Sequence, residues 1–470
     1  MADVTFTRSE YDNALPGWEE VEDVCAGEAA IKAKEGQYLP KHQVGDDADA
    51  RYKRYLFRAC FVGFAGRTLQ SIIGAVFRKW PELVVPTSLD CTKKNVDGAG
   101  VSIYQQSQSV LSEVMKKGRH GLLVDYPKTE KSTSKAELAK GNVRATIVSI
   151  DAKQIVNWRT AQVGGIHKLS LVVIWEFVTE ETEDGFGLES IEQYRVLRLF
   201  DGVYAWQIWR HDKNQNAWVI DDSAVPRDGK GKLWDTIPFT FVGAKNNDSN
   251  IDLAPMSELA RANLHHYLNS ADFEYATFFQ SHPQPTMNMD DTHFRMMKEE
   301  GVKVGPDELL PVPIGGRYEL AQASGDSLAV TAMEQKVGYI VALGGRLIQK
   351  GEAVKTATEA QNDNESEHSV LSLAASNVSE AYTQCLEWMA RFMNADGSEA
   401  SYTLSQDLVT PSLDAQTILA FNAIVDGAKM PKSDFWTYLR RIGLIDPEKT
   451  DEDIKEEIEG QGDGLGLDNE

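Results

Sequence analysis

Between Pro255 and Met393 apolar residues recur at helical spacing. In PMSELARANLHHYLNSADFEYATFFQSHP, Leu264, Leu268, Ala271, Tyr275 and Phe278 follow one another at steps of 4, 3, 4 and 3, one stripe of a helix of some 25 residues and about 37 Å. Pro283 and Pro285 stop it. Short Gly- and Pro-punctuated elements follow to Ala323, and VKVGPDELLPVPIGGRYELAQ reads as a small β unit. A second helix is predicted from about Ser327 to Ile348, with Val330, Met333, Val337, Ile340, Val341 and Leu347 on its apolar face and Gly344-Gly345 weakening its last turn. After the loop GGRLIQKGEAVK, Thr356 with Glu359, or Thr358 with Gln361, offers a capping box. The third helix then runs to about Met393 on the stripe Leu371, Ala374, Val378, Tyr382, Cys385, Met389 and Phe392. Asp363, Glu365, Glu367 and Glu380 load its start and outer face with charge. The region therefore reads as three long helices interrupted by one compact insert.

The flanks differ in period. The first 50 residues read as a helix followed by a loop or arm of doubtful order. Arg51 to Trp80 reads as a basic helix with seven bases and no acid, bent or closely packed at its glycines. A helix from Val101 to Lys117 precedes the buried strand HGLLVDYP, and the polar run from Lys128 to Asn142 reads as a surface loop. Then Val143–Ile150, Leu169–Phe177, Gln193–Leu199, Tyr204–Arg210 and Ala217–Ile220 have the β-branched and aromatic make-up of strands, with turns at Asp184-Gly185 and Asp201-Gly202. They predict one antiparallel β domain ended near IPFTFVGA, and seven of the ten Trp, between Trp80 and Trp234, suit an aromatic core there. Toward the end come the strand SYTLSQDLV and two short helices, from Ser412 to Gly427 and from Ser433 to Ile442. The last twenty residues, with nine acids against one Lys, predict a disordered solvated tail.

Composition narrows the function classes. With 470 residues, 42% of them apolar, the chain can form two to four domains. A net charge of −23 opposes sequence-independent gripping of nucleic acid, but suits a surface that DNA must slide past. Cys25, Cys60, Cys91 and Cys385 form no C-x-x-C pair and read as reduced, packed thiols. The acid-bearing start is no signal peptide, and the stretch from Ala59 to Trp80 is too broken by Gly and Arg for a membrane span. No P-loop, G-x-S-x-G elbow or H-E-x-x-H motif occurs. His265 and His266 sit about 100° apart on a helix, poorly placed to share a metal. No catalytic, cofactor or metal residue is therefore expected. The loop after the second helix gathers Arg346, Gln349, Lys350, Glu352 and Lys355, either as a surface hairpin or as a loop facing a ligand.

In order, YLFRA and GRTLQSIIGAVFRKWP, GLLVDYP, IPFTFVGA, ANLHHYLNSADFEYA, VKVGPDELLPVP and TATEAQ resemble segments of the portal proteins of tailed double-stranded DNA bacteriophages, over about Tyr38 to Leu444. The resemblance implies a ring-forming α+β fold of portal architecture. Its parts would be an N-terminal arm (1–50), a β-rich wing (51–250), stem helices (251–281 and 326–343) around a small α/β clip (282–325), a tunnel loop (344–356), a long crown-directed helix (357–394), a helical crown (395–450) and an acidic tail (451–470). It implies a dodecamer at one capsid vertex of the virion, assembled in the host bacterial cytoplasm without a membrane. Viral DNA would be packaged and ejected through it. Terminase large subunit and a head-tail adaptor would dock on the clip, which by segment includes Pro285, Asp307, Glu308 and Arg317, and the major capsid protein and scaffold would be further partners. The five tunnel-loop residues named above would face DNA by position. Two alternatives stay open: another connector or adaptor ring, and a carboxylate-dependent hydrolase with the β domain as substrate module.

Overall fold

The computed structural model describes residues 3–41, 48–127, 144–163, 165–182, 184–281, 286–300, 310–313, 327–348, 369–406, 433, 436, 440 and 449–462. The chain divides into two compact units, Met1–Gln406 and Asp407–Glu470. It is a mixed α+β chain, and among the described residues no helix is long and apolar enough to cross a membrane.

The first unit opens with α1 (Ser9–Ala26) and α2 (Glu28–Ala33). Tyr11, Trp18, Val21 and Val24 of α1 are buried, so the start of the expected arm is a packed helix. The basic stretch from Arg51 is two helices rather than one, α3 (Ala48–Arg58) and α4 (Phe64–Val76). Gly66 explains part of the packing: a Cβ there would lie 2.6 Å from the Cys25 carbonyl oxygen, so only glycine lets α4 approach α1 this closely. The short strand β1 (Glu82–Val84) precedes α5 (Ile103–Lys117), which begins with a capping box between Ser102 and Gln105 and ends on left-handed Gly118.

The expected single β domain is two sheets. Strand β2 (Arg119–Asp125) is the centre of an antiparallel three-stranded sheet with β3 (Thr146–Asp151) and β9 (Phe239–Gly243). Both faces of β2 are covered, which is why its sequence is a run of buried residues rather than an alternation. The second sheet is a five-stranded antiparallel meander of β4 (Ile155–Val163), β5 (Ile166–Glu181), β6 (Leu188–Phe200), β7 (Val203–Asp212) and β8 (Ala217–Ala224). Val143–Ile150 and IPFTFVGA thus belong to the first sheet, and β4 was not expected. Asn157, Arg159 and Thr160 interrupt its apolar character, because one side of this strand is only partly covered. Asp201 and Gly202 join β6 to β7 with φ of 48° and 79°, the double positive φ that a tight two-residue hairpin requires. Trp158 and Trp234 are buried, whereas Trp80 is exposed, so the aromatic core holds only part of the tryptophan set.

Helix α6 (Ser257–Ser281) leaves this body, and a small α/β insert follows. In it β10 (Thr286–Met289) and β11 (Leu310–Pro313) pair in parallel, with α7 (Asp291–Glu300) between them in sequence. Helix α8 (Ser327–Ile348) returns. Helix α9 (Val370–Phe392) then packs on β2, β9 and α5. All seven residues of its expected stripe are buried. Its start is corrected: Ser369, with φ −65° and ψ 157°, accepts a hydrogen bond from the Ser372 amide and caps a helix that begins there, not at Thr356. Both expected capping boxes lie outside the described residues. Strand β12 (Ser401–Thr403) pairs antiparallel with β1, so the start of the expected crown is part of the body.

In the second unit the described residues correct the tail. Helix α10 (Asp451–Gly462) occupies most of what reads as disordered. The Thr450 hydroxyl accepts from the Asp453 amide while the Asp453 carboxylate accepts from the Thr450 amide, and three acids fill the first turn, where the helix dipole favours them. Ile454 and Trp436 are buried, and Arg440 is paired with Asp451.

Candidate functional site

Helices α6 and α8 form an antiparallel pair, as two contacts along it show: Gly344 approaches Leu259, and further out the Lys336 ammonium donates to the His265 carbonyl at 2.9 Å. At about 1.5 Å per residue the two helices span about 37 and 33 Å. The end at Leu259 and Gly344, its root, is seated on α4, and α3 touches α6 as far out as Phe278. Asn263 is fully buried; its amide donates to the Val62 carbonyl at 2.9 Å, and its side-chain oxygen accepts from the Ala65 amide at 3.0 Å. It thereby satisfies the backbone left open where α3 breaks from α4. The Tyr55 hydroxyl donates to Asp272 at 2.5 Å, and the Arg58 guanidinium lies 3.7 Å from the centre of the Phe278 ring. Gly344 sits so close to Thr68 of α4 that a Cβ would lie 3.3 Å from its methyl group. The glycine expected to weaken the last turn of α8 therefore seats that turn against the body.

Away from this root the pair loses its cover. Leu259, Ala260, Tyr267 and Ala271 of α6 are buried, but none of the described side chains from Asp272 to Phe278 is. On α8 Ile340, Gly344 and Leu347 are buried near the root, whereas Leu328 is 81% exposed, Tyr339 63% and Val341 68%. Val330 and Val341, expected on the buried stripe, are exposed. At 100° per residue, Leu328 and Tyr339 fall about 120° to one side of the stripe through Met333, Ile340, Gly344 and Leu347, and Val330 and Val341 about 80° to the other. Two separate apolar flanks result.

Of the sequence-predicted site residues, Arg346 is exposed in the last turn of α8. Gln349, Lys350, Glu352 and Lys355, and Pro285, Asp307, Glu308 and Arg317 on the insert, lie outside the described residues. His265 is exposed and His266 buried, on different sides of α6. Burial and the Lys336 charge lower the His266 pKa. All four cysteines are free, and Cys60 is exposed rather than packed.

Sequence reading missed a buried ion cluster. The Lys117 ammonium, fully enclosed, meets Glu113 at 2.7 Å, Glu22 at 3.2 Å and the carboxylate of Asp151, while Lys153 pairs with Glu22. Burial pulls the Lys117 pKa down, but the carboxylates of Asp151 and Glu113 outweigh it and hold the ammonium above its ordinary value. The three acids, on α1, α5 and β3, form a metal-like group in spacing, and its centre is a lysine. Beside it the buried His120 ring bonds Ser149 at 2.8 Å, and burial pushes its pKa down to about 4. A cue existed: Lys117 falls on the apolar stripe of α5, after Val110 and Val114, where a charge needs partners. A surface cleft of about 600 Å³ lined by Asp228, Lys230, Lys232, Asp235, Glu387 and Arg391 is electrically mixed, and Arg391 is paired with Asp228 and Asp235.

The sequence model of a family described as a domain of unknown function (DUF4055) matches residues 255–393. That is the segment from the start of α6, through the insert, to the end of α9. One chain of a solved structure, described as the neck of an empty GTA particle computed with C6 symmetry, is similar over 82% of this chain and 92% of its own, at 13% identity and a TM-score of 0.34. No curated protein matches.

Proposed function

We propose that the chain is a portal subunit of a tailed-phage-like particle, with α6 and α8 as the stem, the α/β insert as the clip and the five-stranded sheet in the wing. The observation that carries this reading is the antiparallel pair seated on α4 at one end, with a compact insert at its far end and apolar residues bare on two flanks of α8. A closed ring repeats one head-to-tail contact, so each copy needs two different patches, one for each neighbour. Large apolar side chains left in water on a soluble helix mark such contacts. The ordered sequence resemblance on both sides of this region supports the same assignment. On this reading the ring is a dodecamer at the capsid vertex of a virion, double-stranded DNA passes through it during packaging and ejection, and the acidic balance limits its grip on phosphate. Terminase large subunit and a head-tail adaptor dock on the insert, the capsid protein and scaffold surround the wing, and the chain performs no catalytic step of its own. The clustered acids Glu22, Glu113 and Asp151 lend the hydrolase alternative no support, because they are engaged with Lys117 and Lys153.

Electron microscopy of the purified full chain at high concentration, and of particles from producing cells, tests this. A ring with a central pore is expected, with the protein at one vertex of each particle. Particles that lack the protein would overturn the reading.

A further inference from the structure

The five-stranded sheet carries an overhang. Pairing of β4 with β5 ends at Ile155 and Ile174, and β7 pairs with β6 only from Gln193 onward. Beyond these points Phe177–Glu181 and Leu188–Glu192 pair with each other alone, a two-stranded ribbon about 17 Å long with both edges open. An isolated two-stranded ribbon is marginal in water unless something covers it. Its tip turns through Thr182–Gly187, held by the Gly187 amide on the Thr182 hydroxyl at 2.9 Å. There Phe186 is 96% exposed, and Phe177 and Leu188 are exposed beside it. From Glu176 to Glu192 the sequence has seven acids and no base. Glu176 and Glu180 pair with Arg195 and Arg210 of the sheet, which leaves Glu181, Asp184, Glu189 and Glu192 without a basic partner among the described residues.

The opposite surface stands on α3. Arg51, Lys53 and Arg54 are exposed, and none pairs with a carboxylate among the described residues; Asp49 in the first turn is taken by Lys41. Phe57, 83% exposed, lies between Lys53 and Arg54 on the same side of the helix. Among the described residues each surface offers what the other lacks: acids without a basic partner around exposed Phe and Leu, and bases without an acidic partner around an exposed Phe.

We propose that the β5–β6 ribbon of one copy docks on the α3 surface of a second copy, Phe186 and Leu188 against Phe57, with Glu181, paired with Leu188 on the same face of the ribbon, facing Lys53 and Arg54. Two patches on different parts of the chain make a head-to-tail contact, which propagates into a ring when its rotation closes. The inference adds a contact outside the stem to the ring reading and rests on it for closure.

Carbodiimide, which joins carboxylates to amines at zero length, tests it on the full chain. Equal amounts of isotopically heavy and light protein are mixed at low salt, where screening is weakest, and digested for mass spectrometry. Heavy–light links from Lys53 to Glu181 are expected, and L188K together with F186S should reduce them at least tenfold. Rings seen by microscopy without these links overturn this contact and leave the ring reading standing. The links without rings overturn the ring reading and leave this contact. A chain that never self-associates overturns both. Protection of Lys53 by added duplex DNA, with no Lys53–ribbon link, assigns α3 to phosphate instead and overturns the contact.

Discussion

Helices α8 and α9 are nearly equal in length and both are rich in apolar residues, yet they live in different surroundings. Along α9, Leu371, Val378, Tyr382, Cys385, Met389 and Phe392 are all buried within one chain, against α5, the three-stranded sheet and β12. Along α8, Leu328, Tyr339 and Val341 face water although they are as apolar as any of these. The difference teaches that a hydrophobic stripe identifies a helix face that wants cover, and says nothing about which molecule supplies it. In α9 the cover comes from the same chain and acts on folding. In α8 it must act on assembly if the ring reading holds.

The comparison breaks first at Tyr382. Its ring is enclosed and its hydroxyl donates to Gln106 at 3.0 Å, so Tyr382→Ala should destabilise the chain by about 4 kcal/mol, read from urea unfolding. A loss under about 1 kcal/mol would mean that α9 is not the core helix described. Next comes acid. The His120 pKa is about 4 in the fold against 6.5 when free, so below pH 6.5 the unfolded chain binds a proton that the folded chain refuses. Stability is fully present above 6.5 and falls as pH drops toward 4, by at most about 3.5 kcal/mol at 1.36 kcal/mol per unit. His120→Gln should flatten that stretch of the urea-midpoint profile, and an unchanged slope would assign the acid loss elsewhere. The lowered pKa values of Glu113 and Asp151 beside Lys117 add a loss with the same sign at lower pH. The smallest effect on folding belongs to α8: Tyr339→Glu with Val341→Glu should change stability by no more than about 0.5 kcal/mol per site while preventing ring formation. Rings that form normally in that variant would remove α8 from the subunit interface.

What sequence reading recovered follows the same division. The α9 stripe was legible because a period of 3.6 reports a helix packed on one side by its own chain. The span of α8 was legible for the same reason, but the fate of Val330 and Val341 was not, since spacing alone does not tell which flank of a helix the rest of the chain covers. Strand β4 escaped because Asn157, Arg159 and Thr160 break its apolar run. The ion cluster escaped because Glu22, Glu113, Lys117 and Asp151 come from three elements distant in sequence. The acids of α10 pointed to disorder by composition, and the local hydrogen bonds between Thr450 and Asp453 outweighed composition at the helix start. At the candidate site the helices, the insert and their order were legible, and side-chain roles were not, because position in a loop does not determine what a side chain meets.

The fixed root of α6 and α8 has a mechanical consequence. Asn263 uses both its donor and its acceptor at one end of the pair, and Gly344 leaves no slack there. Farther along, α3 holds α6 a second time, through Tyr55 on Asp272 and Arg58 on Phe278, so α6 is a beam with two supports rather than an arm free beyond one. A substitution at Asn263 therefore removes one support and leaves the α3 support between it and the insert in place.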